Sequence, residues 1–114
     1  MRKDLYGKCP FVTTQRLIQG KWAILIMHYL SNGPVRFNEL QRMMPKMTHA
    51  TLSKQLKQLL NEGLISRKDF NQNPPKVEYS LTEMGWKFSP VLMSIREFGN
   101  EYIKYLNNEK GSEN

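Results

Sequence analysis

The 114-residue chain has little cysteine, fewer acidic than basic residues, and no long apolar run. Its single cysteine, Cys9, excludes an intrachain disulfide and gives no support for an oxidising compartment. The longest apolar run, 22–27, is far below the roughly 18 residues that a membrane span needs. The first ten residues lack the apolar core of a signal peptide. We therefore expect a soluble, cytoplasmic protein with no membrane partner.

Motifs of common enzymes and metal sites are also missing from the sequence. It contains no glycine-rich phosphate loop, no nucleophile motif and no paired carboxylates in an apolar setting. One cysteine and two distant histidines give no metal-ligand spacing. His28 falls in an apolar segment and is predicted to pack in the core. We predict no enzymatic activity, no metal and no cofactor.

Charge is distributed unevenly along the chain. Residues 1–81 contain thirteen Lys and Arg against five Asp and Glu, whereas residues 82–114 contain four against five. The formal net charge of the whole chain is +7. A basic body suggests a polyanionic partner such as nucleic acid, although many small basic proteins have none.

The first half of the chain predicts three helices and a short strand. Pro10 is well placed at the start of the first helix, and 21–31 forms a second, largely buried one. A small edge strand at 34–37 precedes a third helix, which Pro45 stops. A three-residue turn then leads to the next helix.

The second half predicts a helix, a hairpin and a long last helix. Thr48 caps the first of these and Gly63 ends it. Two alternating segments flank the stiff tip 71–75 and indicate a β-hairpin. Thr82 caps the last helix, which Pro90 kinks or splits.

This order indicates an α+β fold, mostly α: a winged helix-turn-helix with a two-stranded β-hairpin wing and N- and C-terminal dimerisation helices. We predict a flexible N-terminus at 1–8. The winged-helix domain, including the dimerisation helices, spans 9–107, and a disordered tail covers 108–114.

The helix after Thr48 has one leucine face and one short, polar face. With Leu52, Leu56 and Leu59 turned inward, the outer face starts with small side chains, as a helix that enters the major groove requires. The alternative is an ordinary amphipathic helix with a solvated face. The residues assigned to DNA contact are Thr48, His49, Ala50, Thr51, Ser53, Lys54 and Lys57.

The hairpin and the strand before the helix pair add further cations. Arg67 and Lys68 precede the tip, Lys76 follows it, and Arg36 lies on the short strand. Cations on such a wing typically contact the DNA backbone or minor groove. The alternative is an exposed hairpin whose charges protect a sheet edge.

Five motifs occur in an order and spacing typical of one family: CP at 9–10, GKW at 20–22, GPVRFNELQRMMP at 33–45, LSKQLKQLLNEGLISR at 52–67 and PPKVEYSLTEMG at 74–85. With them, the chain resembles the HxlR-type winged helix-turn-helix transcription regulators, which are related to the MarR group. The resemblance covers roughly residues 9–102. It implies a homodimer, a pseudo-palindromic double-stranded DNA operator and a role as a bacterial or archaeal repressor or activator.

The resemblance also bears on Cys9, since many such regulators sense electrophiles or oxidants through a cysteine at the matching position. Cys9 is predicted at a helix N-terminus beside Lys8, a setting that makes a thiol reactive. The alternative is a small, inert thiol. The identity of any small-molecule or electrophile effector stays open.

An apolar stripe along the last helix has no further chain to cover it, which is typical of a self-association surface. The alternative is that this helix folds back over its own core. The predicted dimer interface consists of Phe11, Phe88, Leu92, Ile95, Phe98, Tyr102 and Tyr105.

We therefore predict a sequence-specific, homodimeric DNA-binding transcription regulator that responds to electrophiles or oxidants through Cys9. The competing hypothesis is a winged-helix protein-interaction module that binds no DNA. Exposed lysines on the helix after Thr48 and on the wing favour the DNA-binding hypothesis, because a protein-assembly surface would be more apolar.

Overall fold

The computed structural model describes residues 5–113. Within these residues, the helices and strands follow one another in the order that the sequence predicts, and the winged helix-turn-helix is confirmed. The elements are α1 (Pro10–Leu17), α2 (Ala23–Leu30), β1 (Val35–Arg36), α3 (Phe37–Met43), α4 (His49–Asn61), β2 (Ile65–Asp69), β3 (Val77–Leu81), α5 (Glu83–Lys87) and α6 (Ser89–Glu113).

Helix boundaries coincide with the predicted stop and start residues. Cys9 is the N-cap of α1, with Pro10 at its first position. The Thr48 side chain caps α4 by accepting a hydrogen bond from the Thr51 amide. Beyond the other end of α4, Gly63 adopts a φ of 77°, a left-handed conformation that favours glycine. The last predicted helix is split, because α5 ends at Lys87 and α6 starts at Ser89.

The sheet is antiparallel and has three strands in the order β1-β3-β2. Strands β2 and β3 form the wing, with Ile65 opposite Leu81 and Asp69 opposite Val77. Strand β1 lies on the other side of β3 and places Arg36 opposite Glu78. The predicted two-stranded wing is therefore joined to the helix-turn-helix by the short edge strand.

The core lies beneath the helix-turn-helix, where α2, α3, α4 and one face of the sheet meet. Its members are apolar, and those from α2, α3 and α4 have almost no exposed surface. This packing sets the orientation of α4 with respect to the sheet. The buried residues are Ala23, Ile26, Met27, Leu30, Leu40, Met44, Met47, Leu52, Leu56, Leu59, Leu64, Ile65, Tyr79 and Leu81.

His28 is exposed, so the prediction that it packs in the core is wrong. Ile26, Met27 and Leu30 form the buried side of α2, and at about 100° per residue His28 points away from it. Its ring contacts that of Tyr29 at a centroid distance of 5.5 Å. An apolar sequence offers no polar face from which this orientation could be read.

The base of the wing is tied to the start of α5. The Thr82 amide donates to the Leu64 carbonyl at 3.1 Å, and the Thr82 hydroxyl donates to the Gly63 carbonyl at 2.6 Å. A Cβ atom on Gly85 would collide with the Leu64 carbonyl oxygen. Glycine is therefore required for this close approach, which fixes the wing to the rest of the domain.

The flexible N-terminus and the disordered tail stay predictions. The Lys8 and Cys9 amides both donate to the Leu5 carbonyl. Helix α6 is described through Glu113. Residues 1–4 and 114 lie outside the described part of the chain.

Candidate nucleic-acid interface

Helix α4 is held by its leucine face and leaves its other face open. Leu52, Leu56 and Leu59 are at most 2% exposed, so this side is locked in the core. The seven predicted contact residues all lie at its N-cap or in its first nine positions and are exposed: Thr48, His49, Ala50, Thr51, Ser53, Lys54 and Lys57.

Two threonines at the start of α4 form a local hydrogen-bond pair. The Thr48 hydroxyl accepts from the Thr51 amide at 3.1 Å and donates to the Thr51 hydroxyl at 2.9 Å. Thr48 is therefore committed to capping the helix. The Thr51 hydroxyl acts as an acceptor in this pair, so its own hydrogen is available to an outside acceptor.

Contacts with α3 hold the first turn of α4 in place. The His49 ring lies 4.6 Å from the Phe37 ring, centroid to centroid, at an angle of 49°. Within the turn, the Gln41 side-chain amide donates to the Met47 carbonyl at 2.6 Å. His49 is thus exposed, and its ring is oriented by the contact with Phe37.

The strand register separates the predicted wing cations between two faces of the sheet. Directly paired residues in an antiparallel sheet share a face. Arg36 and Lys68 both pair with Glu78 and therefore lie together on one face. Arg67 pairs with Tyr79, whose side chain is buried in the core, so Arg67 lies on the opposite face, exposed on the edge strand β2.

Two wing residues were missed by the sequence analysis. The Phe70 ring lies 4.7 Å from the Lys68 ammonium and 4.2 Å from the Lys76 ammonium. The Glu78 carboxylate lies 3.8 Å from the Lys76 ammonium. The signal for Glu78 was present, because residues two apart on a strand share a face. Nothing in the sequence pattern places Phe70 between the two lysines.

Cys9 is half-buried, and within the described residues its side chain makes no capping hydrogen bond. The neighbouring segment reaches the end of α4. The Arg16 guanidinium lies 4.5 Å from the Tyr6 ring centroid, and the Tyr6 hydroxyl donates to the Glu62 carboxylate at 3.5 Å. The segment that contains Cys9 is therefore in contact with the C-terminal end of α4.

The predicted dimer residues fall into two groups. Phe88 and Leu92 pack against the core of their own chain, and Ile95 is half-buried. The other four are exposed, with Phe11 at 83% and Phe98 at 69%. Along α6, Phe98, Tyr102 and Tyr105 make successive ring contacts at 6.0 Å and 5.5 Å.

A groove of about 620 Å³ lies between α2 and the first half of α6. Its size is within the range of small-molecule sites. Basic groups from Lys21, His28 and Arg96 line it together with apolar side chains, and none of the described lining residues is acidic. The groove therefore lies where a helix of the core meets the C-terminal helix.

Within residues 5–113, no helix is long and apolar enough to cross a membrane. No group of three or more His, Cys, Asp or Glu side chains in the same residues is arranged to hold a metal ion.

Sequence comparisons assign the chain to a family of regulators. The HxlR-like helix-turn-helix family matches residues 17–107. The chain is 45% identical over 96 residues to YkvN of Bacillus subtilis (strain 168), described as an uncharacterised HTH-type transcriptional regulator. That match covers 84% of this chain and 81% of YkvN.

Solved structures of similar proteins share the winged-helix fold. The redox regulator HypR in its reduced form has a TM-score of 0.82 at 36% identity, covering 87% of this chain and 98% of that one. The reduced form of the transcriptional regulator YodB from B. subtilis has a TM-score of 0.73 at 29% identity, covering 82% and 93%. YkvN and YodB are both described as transcriptional regulators, which is a non-enzymatic role. The chain belongs to the HxlR-like helix-turn-helix family of DNA-binding transcription regulators.

Proposed function

We propose that two copies of the chain bind a pseudo-palindromic DNA operator in the cytoplasm, with each α4 in a major groove. The observation that carries this proposal is the start of α4. Its residues are exposed and short, while a cap and a leucine face hold the helix rigidly. A face that served only to keep the helix soluble would not need side chains this small.

The reading face combines base contact with phosphate contact. Ala50 can approach a thymine methyl group, and the Thr51 hydroxyl can donate to a base edge. Lys54 and Lys57 follow one and two turns later, where they can contact phosphates along the groove walls. The N-terminus of this 13-residue helix adds favourable electrostatics for a phosphate.

The wing provides the sequence-independent part of the affinity. Arg36 and Lys68 share the face of the sheet opposite the core, and Lys76 lies beside that face, 3.8 Å from the Glu78 carboxylate. They can contact the backbone next to the major groove that α4 occupies. Arg67 lies on the other face and would contact a different part of the duplex or none.

The second copy is expected to bind along α6. Its exposed aromatic ladder of Phe98, Tyr102 and Tyr105 has no covering partner among the described residues of the chain. Phe11 on α1 presents a further exposed ring. Burial of such rings in a homodimer removes a large apolar area from water, and twofold symmetry matches a palindromic operator.

A gel-retardation series at increasing salt tests the DNA proposal. We expect binding that weakens steeply with salt, and a changed sequence preference in Thr51→Ala. Lys54→Ala should lower affinity and reduce the salt slope by about one. Lys87→Ala, at an exposed position of α5, is the matched control and should leave both unchanged. Binding that is insensitive to salt would contradict the proposal, as would unchanged site choice and unchanged affinity in both Thr51→Ala and Lys54→Ala.

We further propose that Cys9 makes the regulator sensitive to electrophiles. Its support is the position of Cys9 at the start of α1, and the contacts that join this segment to Glu62 at the end of α4. An α-dicarbonyl compound would add to the sulfur as a hemithioacetal, with the thiol proton passing to the carbonyl oxygen. Treatment should change operator affinity in the parent but not in Cys9→Ser. An equal response in both would exclude Cys9 as the sensor.

A further inference from the structure

A row of alternating charge crosses the outer face of the sheet. Arg36 on β1, Glu78 on β3 and Lys68 on β2 are directly paired neighbours, so their side chains emerge side by side. Glu78 is therefore the one acidic residue of this row and lies between two of the proposed phosphate contacts. It is half-buried, which weakens the screening of its charge by water.

Glu78 also contacts a third cation, which lies beside this face. Its carboxylate lies 3.8 Å from the Lys76 ammonium, and both side chains are only about a quarter exposed, at 26% and 24%. Lys76 and Lys68 in addition flank the Phe70 ring. The aromatic ring and the carboxylate together hold the two lysines close to the sheet.

We infer that Glu78 is an internal counter-ion that a DNA phosphate replaces when the wing docks, and that it lowers the affinity of the regulator for every duplex. This inference rests on the proposed function of the wing. In the unbound protein Glu78 neutralises Lys76. On docking, Lys76 exchanges the carboxylate for a backbone phosphate, while the negative charge of Glu78 repels the same backbone.

The energetic consequence follows from counterion release. Each cation that neutralises a phosphate contributes about 0.9 to the slope of log affinity against log salt. A lysine already neutralised by a carboxylate contributes less, because forming the new contact requires breaking the old one. Because phosphates occur in every sequence, the effect of Glu78 is independent of the operator. Non-operator DNA would therefore bind less of the regulator than it would bind of the same protein without the Glu78 charge.

Salt titrations of Glu78→Gln on a random-sequence duplex test this inference. Glutamine keeps the shape of the side chain and removes its charge. We expect binding about three- to tenfold tighter near 0.1 M salt, and a slope steeper by up to about 0.9. Glu83→Gln, an exposed residue of α5 with the same change in charge, should give a smaller gain and an unchanged slope.

A double variant separates the role of Lys76 from that of general charge. If Lys76 is the released cation, Glu78→Gln should bring no steeper slope in a Lys76→Gln background.

Equal behaviour of Glu78→Gln and Glu83→Gln would overturn the inference, as would weaker binding by a Glu78→Gln protein whose thermal unfolding matches the parent. A parent that binds no duplex would overturn this inference and the proposed function together. A parent with steep salt dependence and an unaltered Glu78→Gln would overturn this inference alone.

Discussion

Helices α4 and α6 are both amphipathic, yet their apolar faces are covered to very different extents. In α4 the leucine face is buried within the chain, and Leu56 is 1% exposed. In α6 only the first turns pack against the core, through Leu92, and further along Phe98 is 69% exposed. The periodicity of apolar residues shows that a helix face must be buried, but it does not show whether the surface that buries it belongs to the same chain.

The two helices also present opposite chemistry to solvent. The exposed start of α4 is short, polar and basic, which suits a groove lined by phosphates. The exposed part of α6 is aromatic, which suits a second protein surface. Helix α4 is thus fixed inside the domain with its polar face outward, whereas the exposed rings of α6 are not covered by any described residue of the chain.

The largest expected effect comes from the buried face of α4. Leu56→Ala should lower the free energy of unfolding by about 2–5 kcal/mol, because it leaves a cavity in a packed core. Denaturant unfolding measures this value. Leu106→Ala is the matched change on α6, where the side chain is 42% exposed, and it should cost less than Leu56→Ala. Equal losses of stability in the two variants would contradict the view that the chain buries the apolar face of α4 and leaves that of α6 largely exposed.

A second prediction concerns the aromatic ladder of α6. Phe98→Ala should raise the dimer dissociation constant at least about tenfold, equivalent to about 1.4 kcal/mol. The reason is that the variant has no large ring to bury when the dimer forms. Analytical ultracentrifugation over a dilution series measures it. Met84→Ala, an exposed apolar residue of α5, serves as the control and should not change the constant. A parent protein that stays monomeric at high concentration would contradict the proposed dimer.

The smallest effect is expected at the start of α4. Thr48→Ala removes the cap and should lower the free energy of unfolding by about 1 kcal/mol. Thr48→Ser retains a capping hydroxyl and should restore most of this loss. Thermal unfolding of both variants checks it. An unchanged stability in Thr48→Ala would mean that the bond to the Thr51 amide does not hold the helix start.

Local signals in the sequence predicted the helix boundaries well. Capping by Thr48, the end at Gly63 and the split near Pro90 each depend on the chemistry of one residue, so they are visible without a structure. His28 was misplaced because α2 is apolar on nearly every side, and only packing decides which side faces out. The register that groups Arg36 with Lys68 needs two strand pairings that no local pattern specifies.

The sequence by itself determined the order of the elements, the short outer edge of α4 and the apolar stripe of α6. These follow from periodicity and capping, which act over a few residues. Tertiary structure decided which side chains from different strands meet. Lys76 and Glu78 are close in sequence, but Phe70 and Lys68 reach them only when β2 pairs with β3, and Arg36 only when β1 pairs with β3. The physical reason is that charge interactions depend on distance in space, which strand register sets.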